Sequence, residues 1–344
     1  MTRYAHNAFA YDTICFDDVL LVPRKSSIPS RDDIMIGAGL PRGFGYLYLP
    51  VIAAPMTTIC EDEMCNALGD CGGMGIIHRY NTVEEQLDII RKVTAPLYGV
   101  AIGATGDFFV RAKAAYELCG TKIFLIDVAH GHHKNVKDAI HRLRDEFGDK
   151  ILIIAGNVAT AAGAEFLYEA GADMVRVGIG GGSVCTTRVV TGHGLPTLES
   201  VCRVKISRSE APIIADGGIR NSGDAVKALA AGASFVMLGS VLAGTNECPN
   251  GGTWNGKIAY EGMASNVAQH RRKKPGDKDP QYIEGTTAMI DPKGSVASVM
   301  KPFAARIRSG LSYSGARTVP ELYERHEFVK VSSATQQENK PHGA

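Results

Sequence analysis

The sequence lacks an excess of either charge: 37 Lys and Arg stand against 36 Asp and Glu, a formal net charge of +1. That balance excludes a surface built to grip nucleic acid or an anionic membrane by electrostatics. It also lacks an apolar run long enough to cross a bilayer, and its first residues carry no basic stretch followed by an apolar one. The expectation is a soluble, cytoplasmic protein. The eight cysteines form no C-x-x-C pair and no regular framework, which excludes a disulfide scaffold and points to free thiols in a reducing compartment. His78, His130, His132 and His133 have no carboxylate at helical ligand spacing, so a zinc site is not expected. Asp127 and His130 read instead as hydrogen-bonding groups able to orient a second ligand.

What the chain does have is repetition. Short apolar runs recur at 51–54, 75–78, 98–102, 123–127, 151–155, 174–177, 213–215 and 235–238. Each is too short for a helix and suits a strand buried on both faces of a parallel sheet. Helical spacing of apolar residues fills 83–92, 112–118, 134–147, 162–170 and 223–231. Eight such alternations predict an α/β protein, a (β/α)8 TIM barrel forming one domain over 1–344, although a doubly wound sheet shares the pattern. Each run ends in glycine or polar residues, as a catalytic face at the strand C-termini requires. Residues 244–284 lack periodicity and hold the basic run 271–274 with Pro275, Gly276 and Pro280; they read as a mobile flap. The polar tail at 332–344 reads as disordered in a monomer.

The densest signal is 178–194, GIGGGSVCTTRVVTGHG, with four glycines among its first five residues. Glycine at that density is needed where φ is positive or where something approaches the backbone closely. The turn presents Cys185 as a candidate nucleophile, with Thr187 as a proton relay and the Arg188 cation expected to lower the thiol pKa. Glycines after the seventh and eighth runs, Gly218 and Gly239 with Ser240, read as a phosphate cradle to which Ser183 adds a hydroxyl. Asp216 beside that cradle suits ribose hydroxyls, or else caps a helix.

Ordered motifs over nearly the whole chain resemble one family. They are FDDVLLVP (16–23), GGMGIIHR (72–79), IDVAHGH (126–132), AGNVAT (155–160), VGIGGGSVCTTR (177–188), IADGGIRNSGDAVKAL (214–229), VMLGS (236–240), YEGMAS (260–265) and RSGLSYSGA (308–316). The chain resembles the IMP dehydrogenase and GMP reductase family. That resemblance implies a homotetrameric barrel binding a purine 5′-monophosphate and a nicotinamide dinucleotide. It implies attack of Cys185 on purine C2. Phosphate contacts would come from Ser183, Gly218, Gly239, Ser240 and Tyr260, a ribose contact from Asp216, and base contacts from Met56, Met263, Ala264 and Glu284. Arg79, Asp127, Asn157, Ser312 and Tyr313 would face the cofactor. The carbonyls of Gly180, Gly182 and Cys185 match the family's monovalent-cation (K+) site.

Three features lean toward the reductase activity, which reduces GMP with NADPH. Residues 91–99 run straight through the point where most dehydrogenases carry a CBS-domain pair. The flap holds no Ser-x-x-Asp-Arg-Tyr, so Arg271 and Tyr282 are not adjacent. Thr191-Gly192 and Ser312-Tyr313 fit the reductase pattern. Thr187 with Glu284 would protonate departing ammonia. Against this, GGMGIIHR, IADGGIR and CTTRVV look like bacterial dehydrogenases, and some dehydrogenases also lack CBS domains. The tail 337–343 loosely resembles their terminus, with Lys340 where a neutral residue is expected. Thr57 replaces an acid and Gln269 a methionine. The alternatives are an NAD-dependent, CBS-less IMP dehydrogenase and a nucleotide-binding pseudo-enzyme.

Overall fold

The computed structural model describes residues 13–208, 210, 212–249, 252–272 and 279–339. Eight parallel strands close a barrel: β1 Val51–Ala53, β2 Met74–Ile77, β3 Tyr98–Ile102, β4 Ile123–Asp127, β5 Leu152–Val158, β6 Met174–Val177, β7 Ile213–Asp216 and β8 Phe235–Leu238. β8 pairs with β1 through Met237 and Ile52, so the sheet has no edge. The helices between and after them are α1 Asp62–Asp70, α2 Val83–Ile90, α3 Phe108–Cys119, α4 Lys134–Phe147, α5 Ala161–Glu169, α6 Thr197–Ser207, α7 Ser222–Ala230 and α8 Val296–Tyr313.

Strand alternation sorts the core into two. Ile52, Met74, Ile76, Leu125, Ile154 and Met237 meet inside the barrel, while Val51, Ala53, Ile77, Val100, Ile126 and Val236 meet the helices. This is the two-residue period of a strand buried on both faces. Leu40 and Leu47, from a small hairpin pairing Ala38–Gly39 with Tyr46–Leu47, join the inner cluster and plug one end. Local signals place the helix ends: Thr82 and Glu85 form a reciprocal capping box on α2, and left-handed Gly120 (φ 70°) stops α3.

Three expectations need correction. Helices α1, α6 and α8 lie outside the five helical stretches read from the sequence; α8 continues through Pro302, and α1 buries Met64, Cys65 and Leu68. Residues 244–284 are not patternless: Thr253–Trp254, Lys257–Glu261 and the later Thr287–Ile290 form an antiparallel sheet, and Asn266–Arg272 is helical. Lys273, Lys274, Pro275 and Gly276 of the basic run lie outside the described residues, as does the tail from Lys340 onward. The described tail residues include a helix, Ser333–Glu338, rather than disorder.

Candidate active site

A cleft of about 420 Å³ opens at the C-terminal ends of the strands. Close backbone approach shapes it. At Gly178 (φ 141°) a Cβ would stand 1.9 Å from the Asp216 carbonyl oxygen, so only glycine lets the chain leave β6 across the end of β7. Gly217 packs against Gly181 the same way, a Cβ there meeting Gly181 main chain at 3.0 Å. The loops after β6 and β7 are thereby locked together.

Cys185 follows that turn, just before the short helix Thr187–Thr191. Its Sγ donates to Thr187 Oγ1 at 3.2 Å, and Thr187 Oγ1 donates to Glu284 Oε2 at 2.8 Å. Glu284 comes from nearly a hundred residues downstream, and backbone bonds bring it here. Thr186 N donates to Glu284 O at 2.9 Å, Glu284 N to Ala264 O at 3.0 Å, and Thr286 N to Val184 O at 2.9 Å. The result is a thiol–hydroxyl–carboxylate chain whose donors all run one way, toward Glu284.

A second network lines the cleft. Arg176 projects from β6, 9% exposed, and donates to Asp127 Oδ1 at 2.6 Å and Asp216 Oδ2 at 3.1 Å. Burial works against its charge, but Asp216 and then Asp127 outweigh that and hold its pKa above the ordinary arginine value. Asn157 Nδ2 also donates to Asp216 Oδ2, at 2.8 Å, and to Gly178 O at 2.7 Å. Arg79 Nε donates to Asp127 O at 3.1 Å. Arg176 escaped the sequence reading because it sits in an apolar strand run; the signal was a lone charge where both faces should be buried.

Of the remaining expected residues, Met56, Gly218, Gly239, Ser240, Met263 and Ala264 line the cleft. Tyr260 lines it too; burial pushes its phenol up to about 12, with a Ser183 hydrogen bond opposing. Gly180 and Gly182 line the same wall as Cys185. Arg188 does not line the cleft: its guanidinium donates to the carbonyls of Ile179 and Leu195. Ser312 and Tyr313 are also not in this cleft: they end α8, where Ser312 Oγ donates to Ser309 O and Tyr313 is 63% exposed.

On one side of the cleft the Arg79 guanidinium lies 5.3 Å from the Tyr80 ring centroid. The turn fits an alkali cation, since carbonyls are the hard oxygen donors such ions take. Among the described residues, Gly182 O accepts from Cys185 N, at 3.1 Å, and a carbonyl oxygen has two lone pairs.

A family model described as the IMP dehydrogenase / GMP reductase domain matches residues 13–342. The chain belongs to the IMP dehydrogenase / GMP reductase family. Its members are oxidoreductases acting on purine nucleotides with a nicotinamide dinucleotide. An inosine-5′-monophosphate dehydrogenase of Nitrosopumilus maritimus is 33% identical, covering 96% of this chain and 98% of its own. Their alignment spans 468 positions against 344 residues here, so part of that relative has no counterpart in this chain. A dehydrogenase of Borreliella burgdorferi is 32% identical over 400 positions, covering 98% of each chain. Among solved structures, a variant GMP reductase from Trypanosoma brucei in complex with guanosine 5′-monophosphate superposes with a TM-score of 0.90. It is 26% identical and covers 99% of this chain and 100% of its own.

Proposed function

We propose that the protein is a GMP reductase: it deaminates GMP reductively to IMP and ammonia, using NADPH. The observation that carries this reading is the one-way chain Cys185–Thr187–Glu284. Through it the thiol proton passes to Glu284, leaving a thiolate to add to purine C2. The same proton returns through Thr187 to the departing amine, so ammonia leaves and a Cys185 thioimidate remains. A bound dihydronicotinamide supplies the hydride that reduces C2. Cys185 then leaves as thiolate and IMP is released. Gly218, Gly239, Ser240, Ser183 and Tyr260 hold the phosphate, Asp216 the ribose, and Met56, Met263 and Ala264 the base.

The flap arginine supports the same direction. Hydrolysis of the adduct, the dehydrogenase's second half, needs a group to activate water. Arg271 instead pairs through both terminal nitrogens with Glu261, at 3.0 and 2.9 Å, and Glu261 is 2% exposed. Tyr282 is 84% exposed. The second reading, IMP dehydrogenase with NAD, is favoured by the Borreliella burgdorferi relative, whose alignment spans little more than this chain's own length. One pair of assays separates them: GMP with NADPH, and IMP with NAD, each followed by nicotinamide absorbance. Loss of absorbance in the first supports the reductase; a gain in the second alone overturns it. K+ at the turn and a homotetramer complete the proposal, tested by cation dependence and by sedimentation.

A further inference from the structure

The loop after β8 is a single turn of backbone with two unlike ends. Leu242 N and Ala243 N both donate to Gly239 O, at 3.0 and 2.9 Å, so residues 239–243 wind once. Among the described residues, the amides of Ser240 and Val241 at the leading end donate to no protein acceptor, and their carbonyls at the trailing end accept from no backbone amide. Lys293 takes those carbonyls instead: its Nζ donates to Ser240 O at 2.6 Å and to Val241 O at 3.1 Å. We propose that Lys293 is a positioning residue for the phosphate cradle. Without touching the nucleotide, its ammonium fixes the turn so that the amides of Ser240 and Val241 are left for a 5′-phosphate. This rests on the cradle in the reading above, and adds to it the residue that makes the cleft prefer a phosphorylated ligand.

Peptide geometry sets the direction. In a trans peptide the carbonyl and the next residue's N–H point opposite ways, and the bond between Ser240 and Val241 is trans. Holding Ser240 O on Lys293 therefore turns Val241 N–H away from the lysine. A cation at the carbonyl end of a turn and an anion at its amide end both lie favourably along the same peptide dipoles, so each stabilises the other's placement. The charge is also available: among the described residues Lys293 has no carboxylate partner, and nearby Asp291 pairs with Lys257 at 3.2 Å. The lysine is itself held in place. Lys293 N donates to Gly244 O at 2.8 Å, Asn246 N donates to Gly294 O at 2.9 Å, and Thr245 bridges Gly294. These bonds join 244–246 to the residues that follow the strand Thr287–Ile290. In the ladder of that strand Tyr260 lies opposite Ala288, and the Tyr260 Oη stands 2.9 Å from where a Cβ on Gly239 would be. The antiparallel sheet thus grips the turn twice, by the tyrosine at Gly239 and by the lysine at Ser240 and Val241.

The test is calorimetry on the full-length protein with two ligand pairs, GMP with guanosine and IMP with inosine, so that no outcome depends on which nucleotide is turned over. In the unaltered protein the 5′-monophosphate should bind more tightly than its nucleoside. Lys293→Met should lower that ratio at least about tenfold by weakening the monophosphate, with the nucleoside's affinity unchanged. Lys293→Arg keeps the charge and two donors and should hold the ratio within about threefold. Lys293 is exposed, so both variants should keep the thermal midpoint. A purely structural role would weaken monophosphate and nucleoside together, and equal losses overturn the proposal. A ratio left intact by Lys293→Met, or lowered as far by Lys293→Arg, overturns it too. Equal affinity of monophosphate and nucleoside in the unaltered protein is a different failure: it overturns the cradle itself, and the proposal with it.

Discussion

At the scale of single residues, the site is a proton path and a charge balance, and each can be broken alone. Cys185→Ala should abolish turnover yet retain GMP binding by calorimetry; substantial residual activity would remove the covalent step. Glu284→Gln keeps the hydrogen bond from Thr187 but cannot hold the thiol proton, so turnover should fall about 10²–10⁴-fold with little change in GMP affinity. Arg176→Met tests the other half. It leaves Asp216 without the Arg176 cation and Asp127 with Arg79 at 3.6 Å, and should cost about 3–5 kcal/mol in urea unfolding. A loss under about 1 kcal/mol would mean that water screens the pair. The nucleophile and its hydroxyl were legible because they are two residues apart in a glycine turn. Arg176 was not, since an apolar run of four hides a charge whose partners end two other strands.

At the scale of elements, legibility followed burial. All eight barrel strands were readable because each is apolar on both faces, as at Leu152–Val158, where every residue is buried. The antiparallel sheet after the barrel was not, because Thr253–Trp254 is exposed and carries no alternation. The helix Asn266–Arg272 is held less by its own pattern than by two tethers. Gln269 Nε2 donates to Tyr80 Oη at 3.1 Å, and Arg271 pairs with buried Glu261. Burial raises the Glu261 carboxyl above its usual range, with Arg271 pulling the other way. Glu261→Gln should therefore loosen that helix: its amides should exchange at least tenfold faster while those of the barrel strands stay unchanged. Unchanged exchange in the helix would show that Arg271 does not tether it.

At the scale of the whole molecule, the two ends of the described chain meet beside Gly218, a glycine of the proposed phosphate cradle. Val19–Leu21 pairs antiparallel with Phe328–Lys330, and Val331 N donates to Asp18 O at 2.8 Å. The N-terminal segment is also pinned to α7: Lys227 Nζ donates to Phe16 O at 2.8 Å, and Arg220 bonds Asp17 through both terminal nitrogens. Phe16 reaches within 3.5 Å of where a Cβ on Gly218 would stand, so this segment backs the glycine that the cradle depends on. Arg220 holds the Asp17 carboxyl below the usual carboxylate range. A carboxyl lowered on folding contributes stability above its ordinary pKa and loses it as pH falls through the lowered value, so the pin is intact at neutral pH. Arg220→Ala should then weaken GMP binding severalfold at pH 7; its exposed pair with Asp17 contributes about 0–1 kcal/mol, and its pair with buried Asp224 adds to the fall in the thermal midpoint. The variant should lose its disadvantage in acid, where Asp17 is protonated in both proteins. Equal GMP affinity of the two proteins at pH 7 would mean that the cradle holds its shape without the chain ends behind it.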